Sequence, residues 1–142
     1  SSEEAFRAYF DEVLRTVESG VFDVLGHLDH LKRYSIPHYG SYSSEPCAMQ
    51  IERILRSIAE SGMALEINAS GFRQKFNAPF PEPGIIREFA RVGGRHITLG
   101  SDSHALAQFG QGMEESANLA REAGLRETVY FTSRRRHSTP LG

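Results

Sequence analysis

The sequence lacks several features that would assign its 142 residues to a common class at once. A single cysteine, Cys47, excludes an internal disulfide framework and fits a reducing compartment. Its apolar runs are too short to cross a membrane, and no basic region followed by an apolar core marks a signal peptide. The default expectation is therefore one cytoplasmic domain, with enough residues for a real core.

An excess of charge of one sign is also missing. The 16 Lys and Arg residues are set against 18 Asp and Glu residues, which gives a formal net charge of -2 at pH 7. This balance gives no electrostatic case for a nucleic-acid partner, so a small anionic substrate would depend on local positive groups. The basic run at 134–136 is too short to change that conclusion, and it is predicted to be a solvated strand end or a cap on a barrel edge.

Helical and strand-like patterns alternate along the chain. Apolar residues recur at helical spacing in four segments, namely 6–17, 47–58, 85–92 and 106–123. Short apolar runs typical of buried strands occur at 21–25, 63–68, 96–99 and 128–132. Ser1 and Glu4 stand in capping-box register before the first helix, and Leu106 and Phe109 are placed on the apolar face of the last. This order predicts parallel strands joined by right-handed crossovers.

The polar stretches follow the predicted strands, as in a β/α barrel whose active site is built from the loops after its strands. Residues 30–46 and 72–83 show no sustained period and are predicted to be long loops beside such a site. Four parallel strands that are buried on both faces are not expected to form a stable isolated sheet, and the chain begins with a helix. We therefore expect an α/β fold, the C-terminal part of a barrel whose single domain over 1–142 is incomplete at its N-terminus.

Two strand ends carry a histidine and an aspartate two residues apart. Asp102 and His104 follow the run at 97–99, and on an extended chain both side chains leave the same face, roughly 7 Å apart at Cα. His27 and Asp29 repeat the pattern after the run at 21–25. Carboxylate and imidazole are the usual ligands of zinc, iron and manganese. The alternative is that Asp102 caps the following helix and His104 lies on the surface, but two such exits favour a site.

Three stretches in this order, 22–29 (FDVLGHLD), 65–73 (LEINASGFR) and 97–104 (ITLGSDSH), resemble the late motifs of the PHP family of metal-dependent phosphoesterases. Within that family they are most similar to its histidinol-phosphatase branch. The resemblance implies a distorted, TIM-like PHP barrel with two or three divalent metals, zinc, iron or manganese, that hydrolyses L-histidinol phosphate in histidine biosynthesis. It also implies that His27, Asp102 and His104 are metal ligands. Because all three close strand-to-loop exits of a parallel sheet, we expect them to converge in one small volume at the carboxyl ends of neighbouring strands.

The chemistry of phosphate esters agrees with that resemblance. Phosphate-monoester hydrolysis is among the slowest uncatalysed reactions, and a metal-bound water can attack the ester with no protein nucleophile. Arg33 and Arg73 follow strand exits and are predicted to bind the phosphate with guanidinium forks, unless they are simply solvated. Asn68 is predicted to contact the substrate, and Asp29 to orient a metal ligand from behind. Glu66, in mid-strand, is predicted to be a buried, paired structural carboxylate.

Two alternatives stay open. One is a PHP phosphoesterase that acts on a nucleotide or an oligonucleotide end, although the near-neutral charge counts against a long nucleic acid. The other is a non-catalytic barrel fragment that only folds or docks. The family's early motifs, a His-x-His and a later Glu and His, have no counterpart in these residues. We therefore expect the 142 residues alone to be inactive and only marginally stable.

Overall fold

Helices and strands alternate in the computed structural model, which describes all residues from Ser1 to Gly142. The helices are α1 (Ser2–Glu18), α2 (Lys32–Tyr39), α3 (Ala48–Ser61), α4 (Pro83–Arg91) and α5 (Met113–Glu122). The strands are β1 (Val24–Leu25), β2 (Ala64–Asn68), β3 (Ile97–Gly100), β4 (Glu127–Thr132) and β5 (Arg135–Pro140). Short 3₁₀ helices cover Glu45–Cys47, Ala69–Arg73 and Leu106–Gln108. The four predicted strands are confirmed.

All five strands form one sheet, in which they follow one another in chain order. The pairs β1–β2, β2–β3 and β3–β4 are parallel, and β4–β5 is antiparallel. The register places Glu66 beside Thr98 and Asn68 beside Gly100. The carboxyl ends of β1, β2 and β3 therefore meet at one edge of the sheet, as the parallel arrangement predicts. The sheet is open, so the closed barrel stays a prediction.

The core lies between the helices and one face of the sheet. The capping box of Ser1 and Glu4 begins α1 as predicted, and the helix buries Phe6, Phe10, Leu14 and Val17 along one side. These side chains join the apolar stripe of α3 and residues of β2 in a cluster of 20 buried residues. Along β2, Leu65 and Ile67 belong to this cluster, so the alternation of a strand turns Glu66 toward the opposite face. No helix has both the length and the apolar character of a membrane span.

The loop predicted over 30–46 is wrong for half of its length, because it contains α2 and a 3₁₀ helix. The side chains that α2 buries are polar, Lys32 and Ser35, and Pro37 lies within the helix. An apolar period is therefore absent although the helix is present. Gly40 ends α2 in the left-handed conformation, with φ of 80°, which favours glycine.

The last predicted helix is wrong over its first turns. Leu106 and Phe109, predicted to be on its buried face, are 93% and 81% exposed. Gly110 and Gly112 have φ of 74° and 75°, values that a right-handed helix cannot contain, so α5 begins only at Met113.

The C-terminal residues, predicted to be a basic tail, form the second strand of a hairpin. Ser133 and Arg134 have φ of 49° and 63°, as a two-residue type I′ turn requires. Arg134 pairs with Asp23 at 3.1 Å, just before β1, and Arg136 donates to the carbonyl of Gly62 at 2.9 Å, just before β2. The basic run thus fastens the hairpin to the starting ends of the first two strands.

Candidate active site

Two of the predicted ligands have strained backbone, and they follow the two strands that flank β2, not neighbouring strands. His27 follows β1 with φ of 31°, and Asp102 follows β3 with φ of 48°. Residues with a side chain rarely adopt such angles, which cost on the order of 1–3 kcal/mol each and persist only where the surroundings impose them. Both residues are therefore held in place by contacts, one from a residue within β2 and the other from the 3₁₀ helix that follows β2.

The first contact comes from Glu66. Its Oε2 atom accepts a hydrogen bond from the His27 backbone N–H at 2.9 Å and a second from Nδ2 of Asn68 at 3.2 Å. The side chain is half-buried and forms no ion pair, so the prediction of a paired structural carboxylate is wrong in that respect. An unpaired carboxylate at this edge adds negative charge beside the predicted ligands.

The second contact comes from Arg73. Its two terminal nitrogens donate to the carbonyls of Ser101 and Asp102, each at 2.9 Å. The fork that was predicted for phosphate is thus engaged with the backbone of the loop after β3. The prediction that Arg73 binds phosphate stays a prediction, and its observed contacts are those of a side chain that fixes the Asp102 loop.

Asp102 and His104 lie close together, but not on the extended chain from which their common face was predicted, because Asp102 has a left-handed φ of 48° beyond the end of β3. Oδ1 of Asp102 lies 3.7 Å from Nδ1 of His104, and that nitrogen is 3.0 Å from the Asp102 carbonyl oxygen. A proton on Nδ1 can therefore be donated to the carbonyl, which leaves Nε2 as the basic nitrogen on a ring that is 80% exposed. Asp102 caps no helix, because the following 3₁₀ helix has Ala105 as its N-cap and no side-chain cap. His104 does lie on the surface.

His27 stands beside His30, a half-buried residue at the start of the segment predicted to be a loop. The rings of His27 and His30 are 4.7 Å apart, and His30 also packs edge-on against Phe80 at 5.1 Å. Burial lowers the pKa of His30, and the positive charges of His27 and Arg33 lower it further, whereas Asp102 raises it. His27 and His30 thus stack beside each other next to the ring of Phe80. The sequence signal that could have identified His30 is its three-residue spacing from His27. In the structure these residues form a turn, in which the His30 N–H donates to the His27 carbonyl at 2.9 Å.

The donors present suit a divalent metal in type but not in number. Imidazole and carboxylate groups are the right chemistry for zinc, iron or manganese. No group of three or more His, Cys, Asp or Glu side chains is arranged so that it could hold a metal ion. The three-ligand cluster of His27, Asp102 and His104 is thus not assembled by these residues alone, and a bound metal would need further donors.

Arg33 differs from Arg73 because its guanidinium is exposed and joins none of the ion pairs. It lines a cleft of about 370 Å³ together with Lys75 and the ring of Phe76. No acidic residue lines that cleft. Two cations without an acid make the cleft a suitable place for an anion, so Arg33 stays the better candidate for a phosphate contact.

The amide group of Asn68 already has hydrogen-bond partners within the chain. It is 2% exposed, and its Oδ1 accepts from the N–H and the hydroxyl of Ser70 at 3.0 and 2.6 Å. Nδ2 donates to Glu66. The predicted substrate contact stays a prediction that these bonds do not favour, because both ends of the amide are engaged within the chain.

Asp29 was predicted to orient a metal ligand, but it contacts none of the three. It is fully buried, lies 3.3 Å from Nζ of Lys32 and accepts the N–H of Glu82 at 3.0 Å. Lys32 also donates to the Pro79 carbonyl at 2.9 Å. Burial raises the pKa of Asp29 to about 6, against the opposing effects of Lys32 and the Glu82 N–H. Asp29 thus joins the β1 exit to the segment between β2 and α4.

The chain is similar in sequence to histidinol-phosphatases. It is 34% identical over 113 residues to a probable histidinol-phosphatase of Thermotoga maritima, covering 80% of this chain and 46% of the relative. It is 32% identical over 136 residues to the histidinol-phosphatase of Lactococcus lactis, covering 92% and 48%. The chain thus spans about half the length of the curated relatives it matches. No family model matches it.

The fold is similar to that of a solved structure of the same kind. The histidinol phosphate phosphatase of Lactococcus lactis, complexed with zinc, L-histidinol and phosphate, superposes with a TM-score of 0.78 and 27% identity. The match covers 96% of this chain and 52% of the other. On these likenesses in sequence and fold, and on the three strand-exit motifs, the chain is a histidinol-phosphatase-like member of the PHP family.

Proposed function

We propose that these residues are part of a cytoplasmic, metal-dependent phosphomonoesterase that hydrolyses L-histidinol phosphate to L-histidinol and phosphate. One observation carries the proposal: almost the whole chain superposes on a phosphatase whose structure contains zinc, L-histidinol and phosphate. The donors at the carboxyl ends of β1 and β3 support it, since a cation and a phosphate both bind there in barrels of this architecture. In the complete protein we expect a distorted β/α barrel with two or three divalent ions.

In this proposal His27, Asp102 and His104 supply some of the metal ligands, and the rest come from residues beyond these 142. A bound divalent metal supplies hydroxide at neutral pH and neutralises phosphoryl charge. The residues of this chain position the ligand side chains. Glu66 and Arg73 hold His27 and Asp102 in their left-handed conformations, so that both side chains stand at one edge.

Arg33 provides the positive charge that the anionic substrate needs. A guanidinium fork matches two phosphate oxygens, and the acid-free cleft that Arg33 shares with Lys75 would leave that charge available. Lys75 offers only a point charge further along the loop. We therefore expect Arg33→Lys to raise KM for the ester more than Lys75→Ala does.

The test uses the longest natural chain that contains these residues. Metal content after purification and phosphate release from L-histidinol phosphate are measured, with a nucleoside monophosphate as the competing substrate. Asp102→Ala should abolish turnover, and Glu60→Ala, which removes an exposed acid near the end of α3, is the matched control. Preferred turnover of the nucleotide would favour the other phosphoesterase, and full turnover by Asp102→Ala would contradict the site. The 142 residues alone should be silent, because they assemble no three-donor set.

A further inference from the structure

Glu66 is neither a metal ligand nor a phosphate contact in the proposed chemistry, and its hydrogen bond to His27 accounts for only one of its two carboxylate oxygens. It points away from the apolar core on β2, at the edge where the exits of β1 and β3 meet. Oε2 accepts the hydrogen bond from the His27 N–H. Oε1 accepts no hydrogen bond within the chain, and it is not fully buried. One carboxylate thus touches the β1 exit and has a second oxygen available on its other side.

The two neighbouring strands are shaped around this carboxylate. A Cβ at Gly100, on β3, would lie 2.5 Å from Oε1 of Glu66, which is closer than real Cβ contacts come. A Cβ at Gly26, after β1, would lie 3.3 Å from Oε2. Neither glycine has a positive φ, so what each position needs is space and not backbone freedom. The Glu66 side chain fills the volume that side chains at both strand exits would otherwise take.

We propose that Glu66 is a positioning residue that sets the distance between the β1 and β3 exits and thereby holds His27 opposite Asp102. This inference rests on the proposed metal site. Oε2 fixes the strained His27 backbone, and Oε1 against Gly100 fixes the start of the loop that carries Asp102. Glu66 acts through the two residues that it places and touches neither side chain.

The test is a double-mutant cycle on the longest natural chain. Glu66→Ala removes the carboxylate, and Gly100→Ala adds a methyl group that would push the carboxylate off the His27 N–H. Thr98→Ala is the matched control, because Thr98 is the β3 neighbour of Glu66 in the register. Manganese affinity is measured by titration, and exchange of the His27 amide proton is measured by mass spectrometry with local resolution.

Loss of a residue that orients a metal ligand typically weakens affinity 10- to 100-fold, and we expect Glu66→Ala to do so. Gly100→Ala should weaken manganese to a similar extent, but it should add little on top of Glu66→Ala, because its target is then gone. Glu66→Gln should restore most of the affinity, since an amide oxygen can still accept the His27 N–H. A purely structural role would lower thermal stability in all three variants without this pattern.

Two results would overturn the inference. One is Glu66→Ala matching Thr98→Ala in manganese affinity, and the other is Gly100→Ala acting independently of Glu66. If the unmodified protein binds no manganese, the proposed function fails, but exchange of the His27 amide still decides this question. Faster exchange in Glu66→Ala and Gly100→Ala supports the positioning role, and unchanged exchange contradicts it.

Discussion

The exits of β1 and β3 have the same two residue types at the same spacing, yet they differ in what faces water. After β1, His27 is exposed and Asp29 is fully buried against Lys32. After β3, Asp102 is 32% exposed and its partner His104 is 80% exposed. The first acid is enclosed by the scaffold, whereas the second stands at the surface where a ligand can reach it.

This difference is one of energetics as well as of position. A buried pair is weak evidence for net stability, but removal of one partner leaves an uncompensated charge and is costly. An exposed pair is screened by solvent and contributes little. Two motifs that look alike in sequence should therefore respond very differently to mutation, and three experiments measure that difference.

Lys32→Met should show the largest effect on the free energy of unfolding. Methionine keeps much of the aliphatic stem. It removes the ammonium that lies 5.0 Å from the rings of Phe76 and Phe80, and it leaves Asp29 without its cation and the Pro79 carbonyl without its donor. We expect a loss of about 3–5 kcal/mol at pH 8 by urea denaturation. Lys75→Ala, which removes an exposed lysine, should stay within about 0.5 kcal/mol. Equal stability of the two variants would contradict the reading of Asp29 as part of the scaffold.

The pH dependence of stability should show the next largest effect. The pKa of Asp29 is raised from 3.8 to about 6 in the folded chain, so the fold binds a proton more tightly than the unfolded chain does. Stability from this group is fully present below about pH 4 and is lost as pH rises through about 6. The loss is on the order of 2–3 kcal/mol, at 1.36 kcal/mol per unit.

Asp29→Asn is the control for that experiment, because it removes the titrating group and keeps an oxygen for the Glu82 N–H. The difference in unfolding free energy between the unmodified chain and Asp29→Asn, followed from pH 4 to pH 8, isolates the contribution of Asp29. A difference that does not change with pH, or that changes with the opposite sign, would contradict the raised pKa.

The sequence predicted the elements whose burial is apolar and periodic. Helices α1, α3 and α4 carry apolar stripes, and β2 reads as a buried strand, so their patterns and their burial agree. Helix α2 was missed because it buries a lysine and a serine, and no apolar period marks it. The start of α5 was predicted too early, because Leu106 and Phe109 fit the apolar period of the helix. An apolar residue indicates a buried helical face only where the backbone is helical, and both residues are exposed.

The candidate site was predictable as a location but not as a set of roles. Parallel strands bring their exits together, so spacing alone placed His27 and Asp102 at one edge. Spacing does not show which hydrogen bonds a side chain makes at a strand end or in the loop after it, and that is why Asp29 and Asn68 were given roles facing a metal ligand or the substrate. The role inferred for Glu66 depends on its packing against Gly26, after β1, and Gly100, on β3. The sequence could not predict this packing, because it follows from the register of the strands.

Substitution of Asp102, at the β3 exit, should have the smallest effect on the free energy of unfolding. Asn tolerates left-handed backbone, so Asp102→Asn keeps the φ of 48° without added strain and removes only a partly exposed charge. We expect its unfolding free energy to stay within about 0.5 kcal/mol of the unmodified chain. Asp102→Ala lacks that tolerance and should lose roughly 1 kcal/mol more, so the pair separates backbone strain from charge. In the longest natural chain, both variants should lose turnover alike. If Asp102→Asn destabilised the fold as much as Lys32→Met does, both exits would belong to the scaffold and the distinction between them would be wrong.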